Sequence, residues 1–463
     1  MLFIDREYEL GVLEKAVSSS RSELVIVYGR RRIGKTFLLR FFQRLYGGVY
    51  LVVNYSDRSL ILRDLSRQLN TEYNAGVGLS ESFRDLYIMA IRVSERLSSK
   101  KPVIVIDEAQ RLAGSGGLAE LQYLWDKLLR EWNVLVVLSG SVVGVMGRSL
   151  LSYESPFYGR ATRILYLDQF GYREARIFMR KWDPYERVRG YSVFGGTPAY
   201  LSLIDDSYSL RENIYEHILD PSSFLHHDPL YMLTIETREP QRYLAILSAI
   251  ARGKHRPGEI ASYIGLPIST VSKYLYVLEN ALGLVKRIYP VGFEGRKKYA
   301  HYIITDNYYR FWFSHIYPRL HDPWLYTREY LDKIMKNIDK YASQTWETIA
   351  KEHLYLLNRM GEISFTKIGK WWYRDTEIDL IALDEENKVA YFIECKWAKK
   401  PVTRKHLEKL REKAGKTPWR KWIHKYIFYT LSSPTIPEKD TIVYTIEDIE
   451  TLMEKHKPMV RRF

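Results

Sequence analysis

The 463-residue chain contains a single cysteine, Cys395. One thiol permits neither an internal disulfide framework nor a cysteine-based zinc site, so packing must supply the stability. The chain also lacks any uncharged apolar run near the roughly 18 to 20 residues that a bilayer span needs, and its opening MLFIDREYEL carries charges where a signal peptide needs an apolar core. These absences predict a soluble, cytoplasmic protein with no membrane partner. No internal repeat or low-complexity segment is present. With 46% hydrophobic and 27% charged residues the composition is that of a folded chain. At roughly 150 residues per domain the length accommodates about three cores.

Positive charge is in excess: 70 Lys and Arg against 55 Asp and Glu, a net charge of +15. Between Lys396 and Lys425 twelve Lys or Arg stand against two acids, Glu408 and Glu412, so +10 of the +15 lies in that stretch. A polyanion is the partner this favours, and a solvated basic helix with no partner is the plainer alternative.

Residues 24 to 29 (LVIVYG) read as a short buried strand, followed by a glycine-bearing turn and an amphipathic run from Lys35 to Leu45. Similar strands recur at 50 to 54, 103 to 106 and 134 to 138, with helical spacing between them, as at 118 to 129. Such alternation predicts an α/β domain with a parallel sheet over residues 1 to 170. From 171 to 239 the spacing is helical, broken at Gly195-Gly196-Thr197-Pro198, which predicts a helical lid. Three short helices follow, at 243 to 251, 257 to 264 and 269 to 282, then two strands at 284 to 290 and 298 to 304. That order predicts a winged helix over 240 to 305. A helical connector over 306 to 340 and a last α/β domain over 341 to 463, with a basic tail, complete the expected organisation.

Gly29-Arg30-Arg31-Arg32-Ile33-Gly34-Lys35-Thr36 fits the phosphate-loop pattern G-x-x-x-x-G-K-[ST] and lies between a strand and a helix. Its glycines let backbone N–H groups turn onto phosphate oxygens, Lys35 reaches the β and γ phosphates, and the Thr36 hydroxyl ligates Mg²⁺. ATP and Mg²⁺ are therefore the expected ligands. The strand at 103 to 106 ends in Asp107-Glu108, placing Asp107 to support Mg²⁺ and Glu108 to orient and deprotonate the attacking water. The strand at 134 to 138 ends in Ser139-Gly140-Ser141, where Ser139 and Ser141 are both candidates to sense the γ-phosphate, or simply a polar strand terminus. Arg160 precedes a strand at 164 to 167. It is placed either to reach a neighbouring subunit's nucleotide in a homo-oligomer or to serve as an ordinary surface arginine.

The series Ile4-Asp5-Arg6-Glu7, GRRRIGKT, VIDEAQ, LSGS, YGR and GGTPAYL resembles, in that order, the archaeal ATPase family of AAA+/STAND-type P-loop proteins, distantly similar to origin-recognition ATPases. The likeness spans roughly residues 1 to 233. It implies that Arg6 and Pro198 line the adenine side of the nucleotide.

In the winged helix, Ser269 to Tyr274 opens the third helix after a tight turn, where a recognition helix presents its first side chains to a major groove. Lys273, Arg287, Arg296, Lys297 and Lys298 are the candidate phosphate contacts. DNA is the expected partner, and a protein-docking winged helix is the alternative.

Residues 371 to 396 read as two strands joined by the turn Asp384-Glu385-Glu386-Asn387. Alternation puts Glu394 and Lys396 on one face and turns Cys395 away, and Asp379 on the neighbouring strand can converge on them. Two carboxylates at one strand edge suit a hard divalent cation, with Lys396 steadying an attacking hydroxide and Glu347, on a helix upstream, completing the site. E-x-K alone is weak, since Glu386-Asn387-Lys388 matches it too. The whole constellation resembles the PD-(D/E)xK nuclease motif over roughly residues 342 to 430, with Ile378-Asp379 standing where that motif has Pro-Asp. It also resembles the poorly characterised domain that follows many archaeal ATPase modules.

The function expected is an ATP-binding, ATP-hydrolysing DNA-binding protein with a Mg²⁺-dependent restriction-endonuclease-like domain, its nucleotide state changing DNA access to the nuclease edge. The rival is a non-cutting ATP-dependent switch or scaffold whose last domain binds DNA or protein. A helicase-like motor would need motifs that the chain does not contain.

Overall fold

The computed structural model describes residues 2–76, 78–141, 157, 159–432 and 440–462. The chain divides into two compact units, the first formed by Met1–Gln169 with Ala281–Gly283 and Pro458–Phe463, the second by Phe170–Asn280 and Leu284–Lys457. No helix among the described residues is long and apolar enough to cross a membrane.

In the first unit β1 is Leu2–Ile4, β2 Glu23–Gly29, β3 Val49–Val52, β4 Val103–Asp107, β5 Leu135–Ser141 and β6 Arg163–Leu167. Strands β2 to β6 form one parallel sheet in the order β3-β4-β5-β2-β6. Their continuous apolar runs reflect burial on both faces. Val25, Val27, Val105 and Val137 pack with Leu38, Leu39 and Phe42 of the helix Lys35–Tyr46. Leu24, Ile26, Ile104 and Val136 face the opposite core, with the helices Arg58–Tyr73 and Phe83–Leu97. Strand β5 lies between β2 and β4, so the ends of the loop-bearing strand and the acidic strand flank its terminus.

The second unit begins with short helices, among them Pro184–Phe194 and Phe224–Glu236. Pro240–Ala251, Pro257–Ile264 and Ile268–Asn280 then form a three-helix module completed by the antiparallel pair β7 (Val285–Ile288) and β8 (His301–Ile304). The boundary expected at 340/341 falls inside one helix, Arg328–Met360. Its buried stripe of Ile334, Ile338, Ala342, Thr345 and Ile349 runs across that point with no helix breaker.

That helix precedes β9 (Lys367–Tyr373), β10 (Thr376–Asp384) and β11 (Val389–Lys396), an antiparallel meander. The helix Arg404–Gly415 then crosses to β12 (Ile423–Thr430), parallel to β11, and β13 (Thr441–Thr445) adds parallel to β12. The sheet order is β13-β12-β11-β10-β9. Its core includes Trp371, Ile378, Ile381, Phe392, Leu407 and Phe428.

The chain's end departs from the expected last domain. Strand β14 (Val460–Arg462) pairs antiparallel with β1, so residues 458 to 462 belong to the first unit rather than forming a basic tail of the second. No local pattern in three residues reports a partner more than 450 positions away.

Candidate functional site

The phosphate loop joins β2 to the helix Lys35–Tyr46. Gly29 is required by a close approach: a Cβ there would stand 2.4 Å from the Leu167 carbonyl oxygen of β6. Gly34 turns the loop into the helix with φ of 93°, a conformation suited to glycine. Arg30, Ile33 and Lys35 are buried, Arg31, Arg32 and Gly34 half-buried, and Thr36 exposed. The Lys35 ammonium folds back on its own loop, donating to the carbonyls of Gly29 (2.8 Å) and Arg30 (2.7 Å).

Asp107, at the end of β4, is buried and accepts three hydrogen bonds. They come from the Thr36 hydroxyl (2.8 Å), the Tyr50 hydroxyl (2.6 Å) and the Glu108 N–H (3.0 Å). Burial, then the neighbouring Asp107 charge, raises the Tyr50 phenol far above its ordinary range, so it acts purely as a donor to that carboxylate. The Arg40 guanidinium lies 3.8 Å over the Tyr50 ring. Glu108 adopts φ of 56°, a strained left-handed conformation for a glutamate that costs about 1–3 kcal/mol. Its Oε2 accepts the Gln110 amide at 2.6 Å, and the same amide reaches Ser141 Oγ at 3.4 Å. Neither Tyr50 nor Gln110 was a candidate from sequence. Gln110 sits in the DEAQ run beside the acids, whereas Tyr50 reads as one more residue of a buried strand.

Five further predicted positions have defined partners or places in the fold. Ser141 pairs in register with Gly29 and contacts Gln110, whereas Ser139 pairs with Val27, one step deeper, with its hydroxyl buried. Arg6 donates to the carbonyls of Ile33 (3.1 Å) and Asp168 (2.6 Å) and pairs with Glu9 at 3.0 Å, bracing the loop backbone against the end of β6. Arg160 makes a forked pair with Asp126 at 2.8 to 3.0 Å. Its neighbour Tyr158 lies outside the described residues. Pro198 opens a short helix, Pro198–Leu201, in the second unit.

The carboxylates of the second sheet gather on β10 and β11. Between Ile378 and Ile381 the pairing of β10 with β9 slips by one residue, a bulge that spans Asp379. Bulges re-aim side chains and are over-represented beside active sites. Asp379 Oδ2 accepts the Cys395 N–H at 2.7 Å. Burial, then the charges of Glu394 and Glu347, pushes the Asp379 carboxyl up to about 7. Burial also works to raise Glu394, but Lys396 (2.5 Å) and Lys413 (3.1 Å) outweigh it and hold that carboxyl below its ordinary value. Glu347 pairs with Lys370, yet burial keeps its carboxyl raised. Asp379, Glu394, Lys396 and Glu347 are thus brought together. Among the described residues, however, no group of three or more His, Cys, Asp or Glu side chains is set to hold a metal ion.

In the helical module Lys273, Arg296, Lys297 and Lys298 are exposed. Arg287 is not available in the same way. It pairs with Glu279 at 2.7 Å, tying β7 to the third helix.

Three family models match successive segments of the chain. A family model described as an ATPase domain predominantly from Archaea matches residues 3–204, an IclR helix-turn-helix model matches 240–287, and a model of archaeal and bacterial proteins of unknown function matches 312–410. Over 405 residues the chain is 32% identical to the uncharacterized protein MJECL04 of Methanocaldococcus jannaschii, covering 86% of this chain and 88% of the relative. A 42-residue match at 43% identity, 9% of this chain and 71% of the relative, links it to the uncharacterized ATP-binding protein MJ0423 of the same organism. Among solved structures the Walker-type ATPase PABY2304 of Pyrococcus abyssi aligns with a TM-score of 0.52 at 22% identity, over 66% of this chain and 95% of that one, which shows a shared fold. The first part of the chain is an ATPase domain, and a helix-turn-helix region follows it.

Proposed function

This chain belongs to the family of the Methanocaldococcus jannaschii protein MJECL04, and we propose that it binds and hydrolyses ATP, holds DNA through its helix-turn-helix module and cleaves phosphodiesters at the Asp379–Glu394 edge. The observation that carries the nucleotide reading is the contact of Thr36 with Asp107 beside the Glu108–Gln110–Ser141 series, at the mouth of a loop that ends in Lys35. The Thr36 and Asp107 oxygens fit Mg²⁺, which when bound neutralises charge on the β and γ phosphates. Lys35 exchanges its two loop carbonyls for phosphate oxygens. Glu108 orients a water and takes its proton, Gln110 positions that carboxylate, and Ser141 is the residue at the γ-phosphate end. Replacing Lys35 with Ala should abolish ATP turnover, and full turnover by that variant would remove the assignment.

For the second site, three observations support a nuclease. A helix, three antiparallel strands, a crossover helix and a parallel strand follow one another in the order of a restriction-endonuclease-like core. A bulge aims Asp379, and like charge gathered there raises its carboxyl. Asp379 and Glu394 would hold a divalent cation, whose chemistry would be activation of water. Lys396 would stabilise charge on the attacked phosphate. The non-cutting reading also has an observation in its favour, because lysines already neutralise Glu394 and Glu347. Plasmid incubated with Mg²⁺ or Mn²⁺, with and without ATP, separates the two. The nuclease reading expects nicking or cutting by the wild type and none by Asp379→Ala, while equal survival of plasmid with both proteins selects the switch.

A further inference from the structure

A groove of about 630 Å³ opens on the second unit, within the range typical of ligand clefts. One wall is the turn between β7 and β8, with Phe293, Arg296 and Tyr299. The other is the segment after the helix Arg404–Gly415, with Arg420 and Lys421, and Tyr373 at the end of β9 stands between them. The first wall is fixed to β9. Val291 N–H donates to the Lys370 carbonyl at 3.0 Å, and the His301 ring stacks on Trp372 with centroids 4.5 Å apart.

The lining combines two chemistries. Phe293 and Tyr373 are near parallel, 16° apart with centroids at 6.3 Å, and Tyr373 is 37% exposed. Arg296, Arg420 and Lys421 are exposed, and among the described residues none of the three has a carboxylate partner. The Arg296 guanidinium lies over the Phe293 ring and that of Arg374 over Tyr373, each at 5.3 Å, so rings and cations interleave along the groove, a lining that suits bases and phosphates at once. A duplex offers its phosphates but keeps its base faces stacked, and an acidic peptide has no flat face to offer the rings. Lys413, one helical turn before Lys416 in the groove wall, contacts Glu394 at 3.1 Å, so the carboxylate edge lies one helical turn from the groove wall.

We infer that this groove binds single-stranded nucleic acid, with bases on Phe293 and Tyr373 and phosphates on Arg296, Arg420 and Lys421, and feeds the strand toward Asp379 and Glu394. The inference rests on the nucleic-acid reading above, but not on cleavage or on ATP. Its test is fluorescence anisotropy of the full chain with labelled 20-mers of single-stranded DNA, single-stranded RNA and duplex DNA, over a salt series. Phe293→Ala with Tyr373→Ala should weaken single-strand binding about tenfold or more and leave duplex binding unchanged. Arg420→Ala with Lys421→Ala, both on the surface, should lower the log–log salt slope for a single strand by about 1.4. The DNA and RNA arms identify the source of the strand. Single-strand affinity unchanged in both double variants, or no single-strand binding by wild type, overturns the inference. Duplex binding and ATP turnover retained in that case leave the broader reading intact, and uncut plasmid with single-strand binding retained removes only the nuclease.

Discussion

Gln110 holds the Glu108 carboxylate at 2.6 Å while the backbone of Glu108 sits at a strained φ of 56°. A carboxylate so constrained is positioned before a substrate arrives. Glu108→Gln should therefore keep ATP affinity and lose about a hundredfold or more in kcat. Gln110→Ala should lower kcat by roughly tenfold with KM for ATP little changed, because it frees the base without removing it. Steady-state turnover with a parallel nucleotide-binding titration checks both, and an unchanged kcat in Gln110→Ala would deny Gln110 a positioning role.

The Tyr50 hydroxyl is one of three donors to Asp107 and is fully buried. Tyr50→Phe should cost about 2 kcal/mol of stability, the scale of a buried hydrogen bond to a charged group. It should also weaken ATP binding with Mg²⁺ present more than without it, since Asp107 then loses part of its anchoring. Urea unfolding and nucleotide titration with and without EDTA measure the two effects. Equal loss with and without Mg²⁺ would mean that Tyr50 only supports packing.

The phosphate loop and the parallel strands were legible because each is local. GRRRIGKT is contiguous, and a strand buried on both faces is an unbroken apolar run. The acids at Asp379 and Glu394 could be placed by strand alternation. What escaped was set by distant partners. Arg6 meets Ile33 and Asp168, Arg160 meets Asp126, and β14 closes on β1, with nothing near those residues in sequence to announce the pairing. The false boundary at 340/341 has a different cause. The helical connector and the start of the last α/β unit share one helix, whose buried stripe continues through that point.

Two basic residues of the helix-turn-helix module should separate cleanly. Lys273 is exposed on the third helix, so Lys273→Ala should weaken duplex binding and reduce its log–log salt slope by about 0.9 without moving the melting temperature. Arg287 joins β7 to Glu279, so Arg287→Ala should lower stability by about 1 kcal/mol with little change in the salt slope. Differential scanning calorimetry and anisotropy in a salt series test the pair. A salt-slope change in Arg287→Ala as large as in Lys273→Ala would return Arg287 to the surface contacting phosphate.

Glu352, on the helix Arg328–Met360, accepts the Tyr172 N–H at 2.8 Å. Burial, then the nearby charge of Glu174, pushes its carboxyl from 4.5 up to about 8. Because the folded value is raised, the protonated form is favoured by the native state. The resulting stability is fully present below pH 4.5 and is lost as pH rises through about 8. Glu352→Gln keeps an acceptor for Tyr172 but has no proton to lose. The unfolding free energy of the wild type, measured by urea titration, should therefore fall more steeply between pH 5 and pH 9 than that of the variant, by an amount on the order of a few kcal/mol across the window. Asp379, also raised, adds the same slope to both proteins, so the difference between the profiles isolates Glu352. Superimposable slopes would show that Glu352 is ionised in the folded chain throughout the range.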